Sequence, residues 1–204
     1  MKIQLKSRSK TVFSVSIDNE TWGILPNRIL QFFSLHPESE NELSPDKKNE
    51  LILEIEKYSW DKLLNFLTYR ERSVWECSDY LKQLPLHLSL IDKLIQKAKQ
   101  SSFLDDERFA EMYVLDLIAK NRSGMQIRSK LIEKHISENI IEKVFTEYFS
   151  EKQSEQILSA NFRKAINRFH SLPAEKRKEK ILNYLTGKGF SYSEVKRKLD
   201  EEGC

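Results

Sequence analysis

The stretch Ser102-Phe103-Leu104-Asp105-Asp106-Glu107-Arg108-Phe109-Ala110 decides how this chain is read. Consecutive acids follow an apolar pair and precede an Arg and a Phe, which is the pattern of a helix start. Asp105 is placed to accept a hydrogen bond from the first free backbone N–H groups. Asp106 and Glu107 then occupy the first turn, where the helix dipole favours negative charge. With Asp105 as N-cap, Leu104 and Phe109 fall at the two positions of a hydrophobic staple. The motif therefore joins one helical segment to the next, and the rest of the chain shows what is joined.

Working outward, nearly everything from Ser44 onward has helical spacing. Ser44 is an N-cap candidate with Pro45 at the first helical position. Leu51, Ile52, Ile55, Trp60, Leu63, Leu64 and Leu67 recur at about 3.6 residues. Arg70-Glu71-Arg72-Ser73 breaks that run. Further helices are expected over 74–84, 88–99, 105–120, 123–135, 137–149, 151–170, 173–188 and 191–202. With 5 Gly and 5 Pro in 204 residues, long helices are favoured over many tight turns.

The segments repeat. Leu81 follows Ser73 by the same interval as Leu131 follows Ser123, and an Arg precedes each Ser. Lys134-His135-Ile136-Ser137 aligns with Lys188-Gly189-Phe190-Ser191, with Leu131 and Leu185 ahead and Ile141 and Val195 behind. The first set has a Pro85-interrupted joint, longer than its counterpart when counted from Leu81 to Ser89. A period of roughly 45–55 residues lies near that of helical arrays. Such small units stack because each is too small for an independent core. The N-terminal part differs: residues 11–17 alternate with period two, 18–21 supply turn residues, and Trp22-Gly23-Ile24-Leu25 returns to Pro26 as a hairpin. A short helix over 26–35 and a polar, acidic linker over 36–48 follow. The expected organisation is an extension (1–56) and three-helix units over 57–104, 105–149 and 150–204.

Charge is uneven. The net charge of +3 says little about partners, but the four segments carry −2, +3, −2 and +4 in that order. Lys120, Arg122, Arg128, Lys130 and Lys134 gather around Glu133 alone. On a helix, Gln126, Lys130 and Lys134 share a stripe, with Ile127, Leu131 and Ile132 marking the buried side. Arg70 and Arg72 mark the first joint. In the last segment cations gather over 163–180, and Lys188, Lys196, Arg197 and Lys198 near the end. Such clusters suit phosphates or an acidic protein surface, against the plainer reading of a solvated helix face.

Signs of catalysis are lacking. His36, His87, His135 and His170 have no partner at metal-ligand spacing, so no metal or cofactor is expected. Thr186-Gly187-Lys188-Gly189-Phe190 follows a helix and lacks the full phosphate-loop pattern; a helix C-terminus with Gly at C′ accounts for it. Trp60, Tyr69, Trp75 and Tyr80 are expected in the core. Cys77 and Cys204 have no motif spacing, which fits a reducing cytoplasm. No leader is read in Met1–Lys10, and no stretch approaches the roughly 20 apolar residues of a membrane span.

The motifs "WDKLLNFLTYRERS" (60–73), "FLDDERFAEMYV" (103–114) and "KILNYLTGKGFSYSEVKRKL" (180–199) resemble the RecX family of bacterial regulatory proteins. "VFSVSIDNETWGIL" (12–25) is similar to an N-terminal extension in part of that family. The resemblance covers nearly the whole chain. It implies a mainly α fold, a tandem array of three three-helix units, each like a helix-turn-helix domain without a wing. It also implies a non-catalytic, cytoplasmic modulator, expected as a monomer. Such a protein binds in the groove of the RecA–DNA filament and inhibits RecA ATPase, strand exchange and co-protease activity. Direct contact with single- or double-stranded DNA is a further implication. The family often has a more basic Lys-Gly joint where this chain has Lys120-Asn121-Arg122-Ser123-Gly124. The partner-binding residues inferred from charge are Arg70, Arg72, Lys120, Arg122, Arg128, Lys130, Lys134, Lys188, Lys196 and Arg197. The alternative is a stand-alone DNA-binding module of helix-turn-helix type.

Overall fold

Alternating residues at the N-terminus build a sheet larger than the expected hairpin. The structure, a computed structural model, describes residues 1–37, 39 and 41–202, so Cys204 lies outside the described residues. Strands β1 (Lys2–Ser7), β2 (Val12–Ile17), β3 (Glu20–Pro26) and β4 (Asn41–Glu42) form an antiparallel sheet in the order β3-β2-β1-β4. The turn between β2 and β3 needs only Asp18 and Asn19, at φ 50° and 70°, and Glu20 already pairs with Ile17. Asp and Asn tolerate this left-handed region, which matches the twist of the strands. β1 is the strand that sequence reading passed over. Its lysines face solvent, while Ile3 and Leu5 pair opposite Ile17 and Val15 on the core side.

The expected linker also has structure. Asn41, only 6% exposed, donates from Nδ2 to the carbonyls of His36 and Ser39 at 2.9 and 3.0 Å. Its Oδ1 accepts the His36 N–H at 2.9 Å. Leu35 and Leu43 on either side enter the core.

The helices are α1 (Asn27–Phe32), α2 (Pro45–Leu67), α3 (Val74–Lys82), α4 (Leu88–Gln100), α5 (Asp106–Ala119), α6 (Gly124–Glu133), α7 (Glu138–Tyr148), α8 (Glu151–Phe169), α9 (Ala174–Thr186) and α10 (Tyr192–Glu201). α2 starts after Ser44 with Pro45 in its first turn and runs unbroken through residue 57. Ser73 and Ser191 close capping boxes with Glu76 and Glu194, and the Ser123 side chain accepts the Gln126 N–H. Each removes an otherwise unpaired helix-end donor. The α6–α7 and α9–α10 joints share one backbone solution. His135 and Gly189 take φ 57° and 83°, and the next N–H, of Ile136 or Phe190, returns to Leu131 or Leu185 at 3.1 or 3.2 Å. That is a helix C-terminus of the left-handed type.

The joint at Pro85 is not longer after all. Its cap is His87, whose Nδ1 accepts the Ser89 N–H at 3.3 Å. His87 stands as far after Leu81 as Ser137 after Leu131 and Ser191 after Leu185. His87 also stacks on Trp22 at 4.9 Å and bonds Glu20 at 2.8 Å, fastening the start of α4 to β3.

Two compact units result, Met1–Asp105 and Asp106–Cys204. In the first, one continuous core runs from Ile3, Val15 and Leu25 of the sheet through Leu51, Ile55 and Leu63 of α2 to Leu81 and Leu94. Gly23 lets β3 lie directly on α2, since a Cβ there would collide with the Ile55 side chain. In the second unit, α5–α7 and α8–α10 each surround a small core, and Ile118 and Phe149 pack against both. Leu104 and Phe109, the two staple residues, are buried in different cores.

Three aromatic or apolar expectations fail. Tyr69 is 85% exposed because it lies beyond the last turn of α2, and Trp75 is 37% exposed near the start of α3. Ile132 is 54% exposed: Ile127 and Leu131 lie one above the other on the buried stripe, and Ile132 is turned about 100° past it.

Candidate functional site

The cations inferred from sequence divide by what holds them. Five of the ten are paired with carboxylates by contacts within 3 Å. Arg70 forms a fork with Glu76, Nη2 to Oε1 at 2.8 Å and Nη1 to Oε2 at 3.1 Å, and Glu76 is itself 8% exposed. Arg128 turns from α6 toward α7, reaching Glu138 and Glu142 at 2.6 and 2.7 Å above the Phe145 ring. The hydrogen bond from Arg128, then its charge, holds the Glu142 carboxyl below the usual carboxylate range. The bond to Glu142 likewise raises the Arg128 pKa. Lys120 meets Asp116 at 2.7 Å, Lys130 meets Glu133 at 2.8 Å, and Arg197 meets Glu155 at 2.8 Å. Arg72 is held differently. Its Cζ lies 3.7 Å from the Phe66 ring centroid and Nε donates to the Phe66 carbonyl at 3.3 Å. Burial, then the nearby charge of Arg70, pushes its guanidinium pKa down.

Arg122, Lys130 and Lys188 come together. They line an open cleft of about 460 Å³ between α6 and the α9–α10 joint, with Met125, Ser129 and Glu133 beside them. Sequence distance had put Lys188 in a separate cluster from Arg122 and Lys130. Lys134 and Lys196 do not line this cleft.

The cleft walls are fixed by buried polar groups. Ser123, 2% exposed, accepts the Gln126 N–H at 3.2 Å and donates to the Lys188 carbonyl at 2.6 Å. Asn161 of α8, also 2% exposed, donates from Nδ2 to the carbonyls of Asn121 and Ile157, each at 2.9 Å. Its Oδ1 accepts from Lys188 Nζ at 3.0 Å. Lys188 Nζ also stands 4.7 Å over the Tyr184 ring, and hydrogen bonding from Lys188 to the Tyr184 hydroxyl, then the Lys188 charge, draws that hydroxyl's pKa down. Gly189 keeps the joint close: a Cβ there would come within 3.0 Å of Ser123 Oγ and Met125 Cβ. Gly124 does the same for α6, where a Cβ would lie 3.0 Å from Phe149 Cε1. The glycine displaced from the usual family joint thus serves close packing, while Asn121 takes the positive φ of 54°.

Among the described residues no three His, Cys, Asp or Glu side chains gather as a metal site, and no helix is long and apolar enough to cross a membrane. Cys77 is buried.

The helical triplet that carries one wall of the cleft also carries the family match. The family model described as "RecX, second three-helix domain" matches residues 105–144, spanning α5, α6 and most of α7. Similar curated proteins are named "Regulatory protein RecX". That of Streptococcus uberis is 28% identical over 201 residues, covering 96% of this chain and 75% of its own length. That of Clostridium acetobutylicum is 26% identical over 206 residues, covering 98% and 94%. A crystal structure of regulatory protein RecX aligns with TM-score 0.66 at 22% identity, over 96% of this chain and 97% of that one, a likeness of fold. RecX from Lactobacillus salivarius aligns with TM-score 0.63 at 26% identity, over 72% of this chain and 95% of that one. Over nearly its whole length the chain is similar to proteins of the RecX family. Its mainly helical fold is the one this RecX resemblance led us to expect, with an N-terminal antiparallel sheet in place of the expected hairpin.

Asn161 is the residue at this site that charge reasoning missed. A usable signal existed. Ile157, Leu158, Asn161, Phe162 and Ala165 form one buried stripe of α8, and Asn161 is its polar member. An Asn in such a stripe needs hydrogen-bond partners from outside its own helix, because a buried amide left unpaired is costly.

Proposed function

We propose that this protein binds the RecA–DNA filament and restrains it. It lowers RecA ATPase, strand exchange and co-protease activity in recombination and the SOS response, working in the cytoplasm as a non-catalytic monomer. The observation that carries the reading is the cleft, where three cations meet one carboxylate on a firmly built joint. The likeness to RecX proteins supplies the partner. In this reading three three-helix units, 57–104, 105–149 and 150–204, follow an extension at 1–56. They offer a filament several separate contact surfaces, and contacts to more than one protomer add up through high effective concentration. Arg70, Arg72, Lys120, Arg128, Lys134, Lys196 and Arg197 act at the edges of these surfaces or hold them in shape.

The test is RecA ATP hydrolysis on single-stranded DNA against increasing protein. Inhibition at sub-stoichiometric ratio is expected. Lys130→Glu with Lys134→Glu should weaken that inhibition by about tenfold or more while the helical melting curve stays unchanged. Equal inhibition by the double variant would remove these residues from the contact surface.

A stand-alone duplex binder of helix-turn-helix type fits less well. In the second triplet the helix in the recognition position is α7, and its exposed carboxylates Glu138 and Glu142 would face the phosphates. Strong, salt-sensitive binding to bare duplex with no effect on RecA would favour it instead.

A further inference from the structure

We propose that the cleft between α6 and the α9–α10 joint binds the phosphodiester backbone of single-stranded nucleic acid. Arg122 and Lys188 meet the phosphates, and Asn161 is the positioning residue that sets Lys188. The proposal rests on the filament reading and names the chemistry of its site.

The argument turns on which cations are left with charge to offer. Arg70, Lys120, Arg128, Lys130 and Arg197 each spend theirs on a carboxylate within 3 Å. Lys188 is ordered as well, but by neutral groups, the Asn161 amide oxygen and the Tyr184 ring. It is therefore positioned without being neutralised. An ammonium fixed in this way pays less entropy when it meets an anion than a free surface lysine does. Arg122 is exposed and has neither an ion pair nor a side-chain hydrogen bond among the described residues. Its planar fork suits phosphate. Lys130 and Glu133, paired with each other, add no net charge to the cleft, so its surplus belongs to Arg122 and Lys188.

Shape selects a strand over a duplex. The cleft is an open concavity of about 460 Å³, the size of a short backbone segment and not of a double helix. Met125 beside it is 64% exposed and offers an apolar surface to a sugar or base. Asn161 connects the groups. Its amide bridges the α5–α6 joint through the Asn121 carbonyl while its oxygen sets Lys188, so one buried side chain fixes the spacing of both cations.

The experiment is fluorescence anisotropy of a labelled oligothymidine with the full chain over a series of salt concentrations. Removing two phosphate contacts should flatten the slope of log K against log salt by about 1.4, at about 0.7 per contact on a single strand. Arg122→Gln with Lys188→Gln is the main variant, since the new amide still offers a donor to Asn161. Arg122→Gln alone disturbs no partner and should flatten the slope by about 0.7. Lys93→Gln, which removes a cation already paired with Glu56, should leave the slope as in wild type. Wild-type chain that does not bind the oligonucleotide, or unchanged slopes in both Arg122 variants, overturns the proposal. An equal change for duplex overturns its preference for a single strand. If the double variant binds oligothymidine normally but no longer inhibits RecA ATPase, the cleft meets protein and this site assignment fails while the filament reading stands. If the slopes change as stated but wild-type chain leaves RecA ATPase untouched, the site stands and the filament reading fails.

Discussion

The two compact units reach stability by different means. Met1–Asp105 buries 21 apolar residues among those described in one core shared by a sheet and helices. Asp106–Cys204 divides 18 between two cores of 9 and joins them with Ile118, Phe149 and the polar contacts of Ser123 and Asn161. A larger core buries more surface per residue ordered, so the first unit depends less on any single contact. In the second unit the contact between triplets is part of the stability of each. The same contacts shape the cleft, so fold and candidate site rest there on the same few residues.

The most disruptive way to test this contrast is a charge in one small core. Leu131 is fully buried among Phe109, Val114, Ile127 and Val144. Leu131→Asp should cost about 4 kcal/mol or more, because an ionised carboxylate finds no partner there. Amide hydrogen exchange should then show α5–α7 unfolded, with α8–α10 losing protection through the shared Ile118 and Phe149. Residues of β1 to α4 should exchange as in wild type. Protection retained throughout α8–α10 would mean that the two small cores are independent. A variant melting like wild type would contradict the burial of Leu131 altogether.

A finer division uses the serines that begin helices in the second unit. Ser123 caps α6 and also bonds the Lys188 carbonyl, whereas Ser137 precedes α7 without a side-chain cap bond. Ser123→Ala loses a cap and leaves a carbonyl short of its donor, about 2 kcal/mol together. Ser137→Ala should change stability by less than about 0.5 kcal/mol. Urea midpoints measure both. Equal effects would show that the bond to Lys188 adds nothing to the junction.

These two serines also show what the sequence makes legible. Helix starts announce themselves locally, through Ser, Thr or Asp before an apolar stripe, so the helices from Ser44 onward could be placed within a few residues. The spacing of Leu81, Leu131 and Leu185 suggested a repeat before any contact was known. His87 was missed as a cap because imidazole seldom serves as one, and its role depends on Trp22 and Glu20, far off in sequence. β1 was missed because lysines occupy its solvent face, leaving only Ile3 and Leu5 to carry the alternation. The cleft was half legible. Charge counting found Arg122, Lys130 and Lys188, but only three-dimensional proximity separates a cation held by a carboxylate from one held by an amide.

The smallest effect lies on the acidic side of the second triplet, where the contrast is between a paired helix surface and an unpaired cleft. Glu142 accepts from Arg128 and is exposed, with its pKa drawn down first by that hydrogen bond and then by the charge. A carboxyl whose folded pKa lies below its unfolded value adds stability that is fully present above the unfolded value, about 4.3 for Glu. That stability is lost as pH falls through the folded value. Wild type should therefore lose slightly more melting temperature than Glu142→Gln between about pH 6 and pH 3. The difference should shrink as added salt screens the exposed pair. Arg128 keeps Glu138 at 2.6 Å in the variant, which limits the effect further. Identical acid sensitivity in the two proteins would mean that Glu138 alone orders Arg128. A variant more acid-sensitive than wild type would reverse the sign of the coupling and place the stabilising charge elsewhere on α7.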